Sequence, residues 1–426
     1  MSNYESLPLG ELGKIVTGKT PKTENPENFG TDYMFIGPTD LHKHFFITSA
    51  ERMISAKGME SIKGSALNGV SILVGCIGWD MGNVGIVEGK CATNQQINSI
   101  TSIHGKYNPL YVYYWLKTKK DFLYKQASVT RTPILNKTDF SSIKINLPKE
   151  RVYQDKVVGL LSAIDKKIEL NNRINAELEA MAKTLYDYWF LQFDFPDDSP
   201  QGQGKPYKTS GGKMVYNPTL KREIPEGWST VQLEEIIERS GTGLNPRDNF
   251  KLGAGSNYYV TIKNVTNGKI VLDDKCDKID DEALKIIDRR SQLQPGDVLF
   301  TSIEPVGVTY LIQEKPSDWN INESVFTLRP NLSSVTPEYL YLLLSSMEMK
   351  AFTKNSSSGS VHKGIRHGVL KSFQLAHGGK TIVYKFSQIV DPMLKRIHAL
   401  DSESSELVKL RDWLLPMLMN GQVTVK

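Results

Sequence analysis

Asp80, Glu88 and Lys90 are the residues of this sequence whose types and spacing come nearest to a reaction. Two carboxylates and a lysine gathered round Mg²⁺ would suit phosphodiester hydrolysis. The second half of the chain offers Glu314-Lys315 without that spacing and without a matching Asp, so a hairpin turn with ordinary surface charges is the favoured reading. The seven histidines form no metal-ligand pattern: His42 and His44 lie two apart, and His362 and His367 lie five apart in a Gly-rich stretch. No Gly-x-x-x-x-Gly-Lys-Ser/Thr is present to cradle a nucleotide, and no Gly-x-Gly-x-x-Gly follows a strand to cradle a dinucleotide or S-adenosylmethionine. Cys76, Cys91 and Cys276 are odd in number and far apart, which suits neither a disulfide framework nor a zinc ribbon. No catalytic set emerges.

Asn108-Pro109-Leu110-Tyr111 is a near miss to the Asn-Pro-Pro-Tyr of amino-methyltransferases, but its counterpart Thr336-Pro337-Glu338-Tyr339 keeps only Pro and Tyr. A polar N-cap with proline at the first helical position explains both. What remains is the placement of charge. The balance of 52 Lys+Arg against 47 Asp+Glu is only +5, and its distribution says more than its sum. From Lys350 to Val390 there is no Asp or Glu, while Lys350, Lys354, Lys363, Arg366, Lys371, Lys380 and Lys385 are positive. A shorter acid-free stretch, Phe122 to Thr138, carries Lys125, Arg131 and Lys137. One such stretch is no more than a solvated face, but two at matching places in a repeat strengthen a pointer to nucleic acid.

The repeat is read directly from the residues. Leu9-Gly10-Glu11-Leu12 resembles Leu233-Glu234-Glu235-Ile236, Thr93-Asn94-Gln95-Gln96-Ile97 lines up with Ile321-Asn322-Glu323-Ser324-Val325, and Pro109-Leu110-Tyr111-Val112-Tyr113 lines up with Pro337-Glu338-Tyr339-Leu340-Tyr341. Each copy ends in a long helical pattern. In the first, Val157, Leu161, Ile164, Ile168, Asn171, Asn175, Leu178, Ala182, Leu185 and Trp189 alternate steps of four and three, a coiled-coil seam. In the second, Phe386, Val390, Met393, Ile397, Leu400, Ser404, Leu407, Arg411, Leu414 and Leu418 do the same, apolar except at Ser404 and Arg411. The Asp391-Pro392 step is expected to mark a helix start or a kink. Two seams of equal length would bury each other as an intramolecular pair, either antiparallel or parallel, with antiparallel the expectation. Asn171 and Asn175 either fix the register of that pair or sit near a fray. A helix from Val157 to Trp189, 189 − 157 + 1 = 33 residues, is a spacer of roughly 50 Å.

The elements before each helix read as short apolar runs (Val70 to Val74, Val84 to Val87, Asp297 to Phe300, Val306 to Ile312) between Gly-rich turns, interrupted by helices at Pro109 to Leu123 and Pro337 to Phe352. This is an α+β pattern: two similar mixed domains and two long helices in a pseudo-two-fold repeat. The segment Asp197 to Pro206 is rich in Pro, Gly and polar residues and reads as a linker or exposed loop with no core to join. At 426 residues, 39% hydrophobic and 23% charged, the chain is long enough for two or three domains and is not broadly disordered. No apolar run approaches the roughly 18–20 residues of a membrane span, and the first six residues carry no signal-peptide pattern, so a cytoplasmic location is expected.

Asp165-Lys166-Lys167-Ile168-Glu169-Leu170-Asn171-Asn172-Arg173-Ile174-Asn175-Ala176-Glu177-Leu178-Glu179, followed by Leu185-Tyr186-Asp187-Tyr188-Trp189-Phe190 and Phe193-Asp194-Phe195-Pro196, resembles the central conserved region of the specificity subunit of type I restriction-modification systems. Gly78 to Asn94, with Gln95 and Gln96, resembles that family's Gly-rich hairpin and Asn-Gln step, and Ile224-Pro225-Glu226-Gly227-Trp228 resembles the opening of its second recognition domain. Asn322-Glu323 departs from the Asn-Gln pattern. The resemblance covers nearly the whole chain. It implies a first target-recognition domain at 1–150, a central conserved helix at 151–196, a linker at 197–220, a second target-recognition domain at 221–376 and a distal conserved helix at 377–426. Such a chain would be non-catalytic. It would bind a bipartite double-stranded DNA target, dock two methyltransferase subunits carrying S-adenosylmethionine, and be completed by two restriction–translocase subunits that use ATP and Mg²⁺. The alternative is a stand-alone DNA-binding or nuclease protein using Asp80, Glu88 and Lys90.

Within that resemblance the candidate DNA contacts sort into clamps and readers. Lys125, Lys137, Lys354 and Lys371 suit phosphate. Arg131 and Arg366 suit guanine, and Asn94, Gln95 and Gln96 suit adenine, because their forked groups match those base edges, and Asn322 is the candidate contact at the matching place in the second copy. Thr130, Ser360, His362 and Lys363 lie in the same acid-poor stretches, and Trp79, in a Gly-flanked loop, either wedges beside DNA or covers the domain's own core. Asn and Gln after a hairpin also cap the next element, the competing reading for that step.

Overall fold

Continuous apolar runs along short strands, such as Ile72-Leu73-Val74 and Val298-Leu299-Phe300, give each half of the chain a sheet buried on both faces. The structure is a computed structural model that describes residues 4–41, 45–79, 81–129, 132–253, 255–266, 268–357 and 364–425. It divides into two compact units, Met1–Arg173 with Asp401–Lys426, and Ile174–Leu400. The division cuts both long helices. The boundaries expected at 150/151 and 376/377 separate sheet from helix instead.

In the first unit the strand Ser71–Gly75 lies between Ile97–Thr101 and Val84–Val87, with Lys14–Thr17 on the outer side of Ile97–Thr101, all antiparallel. Successive side chains point to opposite faces. Ile72, Val74, Ile86 and Ile100 therefore join one core with Tyr111, Tyr114 and Leu161, while Leu73, Val87 and Ile97 join another with Ile36, Leu41 and Leu67. A three-stranded sheet, Arg52–Ile54, Phe29–Ile36 and Ala92–Thr93, pairs its last two strands in parallel through Phe35 and Ala92. Tyr4–Pro8 pairs with Lys144–Pro148, bringing the start of the unit beside the strand that leads into the long helix.

The second unit repeats this plan strand for strand. Ile237–Thr242, Val325–Pro330, Val298–Thr301 and Thr309–Leu311 form the four-stranded sheet. Asp277–Ile279, Asn257–Val260 and Trp319–Ile321 form the three-stranded one, again with a parallel pair. Ser229–Gln232 pairs with Gln374–His377. Val298, Phe300 and Leu328 face one core, and Leu299 and Val325 the other, as in the first unit. The duplication read from a few residues is thus a duplication of topology.

The expected helix at Pro109 to Leu123 is two helices, Pro109–Lys117 and Lys120–Gln126, and its counterpart is Pro337–Ser345 and Met347–Ser356. Ser346 causes the second break, because its hydroxyl accepts the Met349 N–H at 3.2 Å and caps a new helix. Asn108 and Thr336 are the N-caps expected before the prolines, accepting from the N–H groups of Leu110 at 2.9 Å and Tyr339 at 3.3 Å.

The central helix spans Arg151–Tyr186 and ends in a π-helical turn, Asp187–Leu191; the distal helix spans Lys380–Met419. Asp391-Pro392 neither starts nor ends the distal helix, so of the expected helix start or kink the start is excluded. Gln388 and Pro392 are exposed, so the carbonyl that loses its i+4 donor faces solvent. The helices run antiparallel within each unit. In the first, Asp165 meets Arg411 and Asn171 meets Ser404; in the second, Asn175 meets Ile397 and Phe190 meets Phe386. Val157, Leu161, Ile164, Val390 and Leu400 are buried, whereas Ile168, Leu178, Leu185, Met393, Ile397, Leu407 and Leu414 are half-buried.

The 197–220 segment is not a free linker. Pro196–Asp197 pairs with Lys205–Pro206, and Met214–Asn217 with Arg222–Pro225. Phe195 stacks on Tyr207 at 4.8 Å and on Trp228 at 5.2 Å, and Tyr207, Met214 and Leu220 pack on the second unit's core. The polar and Gly/Pro composition hid two hairpins, because turns need those residues as much as linkers do. Among the described residues no helix is long and apolar enough to cross a membrane.

Candidate nucleic-acid interface

In the first unit three loops are fastened together by backbone hydrogen bonds. The turn from Gly75 to Asn83 connects two core strands and needs left-handed backbone at Gly78 and Gly82, with φ of +101° and +86°. Its start is held on both sides: the Cys76 N–H donates to Gln96 O at 2.7 Å, and the Leu135 N–H donates to Cys76 O at 2.9 Å. The Gly78 N–H donates to Pro133 O at 3.0 Å. The Gly-rich turn, the Asn94–Gln96 turn and the 132–135 segment therefore meet at one place. Trp79 projects there with 74% of its surface exposed, so it does not cover the domain's own core.

The second unit builds the same junction. The Ser302 N–H donates to Ser324 O at 2.9 Å and the Ile365 N–H to Ser302 O at 2.8 Å. Ser302, Ser324 and Ile365 stand for Cys76, Gln96 and Leu135. The two acid-poor stretches enter this junction in both copies, at Pro133–Leu135 and Gly364–Ile365.

The expected readers divide. The Oδ1 of Asn94 accepts the Gln96 N–H at 3.0 Å, and its Nδ2 donates to the Gln96 Oε1 at 2.9 Å. Asn322 likewise accepts the Ser324 N–H, at 3.1 Å. These asparagines close their own turns, which is the capping alternative weighed for that step. Gln95 is exposed and accepts from the Thr20 hydroxyl at 2.7 Å. Lys125 is exposed near the end of its helix, Lys137 opens the helix Lys137–Ser142, and Lys354 is exposed on Met347–Ser356. Arg366 is exposed at the N-terminus of the helix His367–Lys371. Lys371 is held in an ion pair by Glu234 and is not a free clamp. Thr130, Arg131, Ser360, His362 and Lys363 lie outside the described residues, as does Asp80.

Sequence reading passed over one matched pair. Thr17-Gly18-Lys19-Thr20-Pro21-Lys22 follows one edge strand and Thr242-Gly243-Leu244-Asn245-Pro246-Arg247 follows its counterpart, with Thr, Gly, Pro and a cation each offset by 225 (242 − 17, 247 − 22). The signal was present, but no apolar periodicity marks it.

Among the described residues, which leave out Asp80, no catalytic set is assembled. Lys90 lies over the Tyr33 ring at 4.9 Å, Glu88 is exposed, and no group of three His, Cys, Asp or Glu side chains among the described residues is placed to hold a metal. Burial pushes the thiols of Cys76 and Cys91 up to about 11 and about 12, where they remain protonated. Burial, and then the charge of Lys371, lowers the pKa of His367, which packs edge-on against Phe326 at 4.8 Å.

A group of buried polar side chains lies on the helix pair of the first unit. Arg411 Nη1 donates to Asp165 Oδ1 at 2.8 Å, and the Tyr114 hydroxyl donates to Oδ2 of the same carboxylate at 2.7 Å. Lys117 has its pKa lowered by burial and then by Arg411. Asn171 donates through its Nδ2 to Glu403 at 2.8 Å and to Ser404 at 3.2 Å, which ties the two polar seam positions to each other.

Comparison with known proteins agrees with this layout. Residues 1–180 and 225–376 each match the type I restriction modification DNA specificity domain. The chain is 25% identical over 435 residues to the type I restriction enzyme MjaIX specificity subunit of Methanocaldococcus jannaschii, covering 100% of this chain and 94% of that one. It is 33% identical over 327 residues to the HindI specificity subunit of Haemophilus influenzae, covering 66% and 70%. Its fold is similar to the crystal structure of a type I restriction-modification S subunit from M. genitalium, with a TM-score of 0.59 at 14% identity over 97% of this chain and 96% of that one. The duplicated domains and the antiparallel helices are those of this family: the chain belongs to the type I restriction-modification specificity subunits, the non-catalytic components of their complexes.

Proposed function

We propose that each unit reads one half of a bipartite double-stranded DNA target through the junction of its three loops. The single observation that supports this most is the repetition of that junction on matching sheet topologies while its exposed residues differ, Trp79 and Gln95 in one copy and Glu304 and Glu323 in the other. A scaffold that is constant beneath divergent exposed loops suits two different sequences read by one mechanism. The exposed faces of the paired helices (Leu160, Leu170 and Met181 on the central helix; Ile389 and Leu410 on the distal one) suit docking of methyltransferase subunits, two per chain as the repeat suggests. S-adenosylmethionine would be carried by those partners and ATP with Mg²⁺ by the restriction subunits. Flipping and methylation of the target adenine belong to the partner, and address to this chain.

Co-expression with the methyltransferase encoded beside it, followed by single-molecule mapping of methylated adenines, tests the reading. A new motif of two short sequences with a fixed gap is expected. No new methylation from an intact complex supplied with S-adenosylmethionine would contradict it.

A further inference from the structure

The matched segments after the edge strands carry a function of their own, one that rests on the reading of the chain as a DNA reader. In both copies a glycine leaves the strand pressed against the Asn turn. The Gly18 N–H donates to Ile97 O at 3.0 Å and the Gly243 N–H to Asn322 O at 3.2 Å. A Cβ at either position would collide with backbone carbonyls of that turn, at Asn94 or at Ile321, so glycine fixes the approach. The chain is then held beside the junction. In the first copy the Lys19 N–H donates to Thr93 O at 2.9 Å and the Thr20 hydroxyl to Gln95. In the second the Tyr259 hydroxyl donates to Leu244 O at 2.7 Å. A proline follows, then an exposed cation, Lys22 in one copy and Arg247 in the other. Neither cation has an ion-pair partner among the described residues.

Two features decide what such a cation meets. The charge is kept between the copies while its geometry is not, and a lysine cannot reproduce the planar fork with which arginine reads a base edge. A phosphate accepts either. The exposed loops around the junction have also diverged between the copies, as readers of different half-sites must. What persists in both should touch what is the same in both half-sites, and that is the sugar–phosphate backbone. We propose that Lys22 and Arg247 are equivalent phosphate contacts that set each recognition domain in the same register on its half-site. They position the readers and carry no sequence information.

The test uses the complex with the methyltransferase, binding to a duplex bearing the mapped target and to a shuffled duplex, across a salt series. Lys22→Ala and Arg247→Ala should each weaken binding to both duplexes by the same several-fold factor. Each should lower the slope of log affinity against log salt by about 0.9, and together by about 1.8, because one phosphate contact is lost per site. Arg247→Lys should restore the slope, and the methylated motif should be unchanged in every variant. An unchanged slope would overturn the proposal, and so would a loss confined to the target duplex or a change in the motif, which would make these residues base readers. A wild-type complex with no preference for the target would overturn the parent reading instead, and the slopes on the shuffled duplex would still decide the clamp.

Discussion

The asparagines of the repeated turn were chosen from sequence for their forked amides, and the structure uses those amides internally. Asn94 and Gln96 bond each other, and Asn322 bonds the backbone two residues on. Residue type and position were readable, but the partner was not, because a two-residue local bond competes with any external ligand and sequence does not say which wins. Asn94→Ala and Asn322→Ala should each lower unfolding stability by about 1 kcal/mol, the net contribution of a hydrogen bond of this kind. Chemical denaturation checks it, and a stability equal to wild type would return these residues to the role of free readers. Trp79 was read correctly as a residue in a Gly-flanked loop, but its exposure of 74% was not available from composition.

Among the elements, the seam was the clearest signal, because a 3.5-residue repeat of apolar side chains survives any loop insertion. Its polar lock was half readable. Arg411 stood out as a charged residue in an apolar stripe, whereas Asp165 lies one residue beyond Ile164 and looked like surface. Their repeat mates, at 165 + 229 = 394 and 411 − 229 = 182, are the apolar Leu394 and Ala182. Either helix pairing with a copy of itself in this antiparallel register would set Asp165 against Ala182 or Arg411 against Leu394, burying a lone charge. The ion pair thus favours central-with-distal pairing over the self-pairing that an internal repeat invites. Arg411→Ala should cost about 3 kcal/mol by leaving the buried Asp165 carboxylate without its cation, Asp165→Leu should cost less because Arg411 keeps its pair with Asp412, and the double variant should cost less than the two losses summed. Additive losses in the double variant would contradict this coupling. The three-stranded sheets were not foreseen. Their parallel pairing joins Phe35 to Ala92 and Tyr258 to Trp319, each across more than fifty residues and through strands as short as two residues. No local pattern records such a partner.

At the scale of the whole molecule, duplication was legible in three short alignments and is borne out strand by strand. The family follows from it and from the matched domains at both copies. The compact units do not coincide with the expected segments, since each takes part of both helices into its core. Helix patterns mark where helices run, not which core they complete. The central claim is that one repeat addresses one half-site. Exchanging residues 221–376 for the equivalent segment of another specificity subunit, then mapping methylated adenines, tests it most directly. The account predicts a motif in which one half changes while the other half and the gap stay as they were. A motif altered in both halves, or in neither, would contradict it.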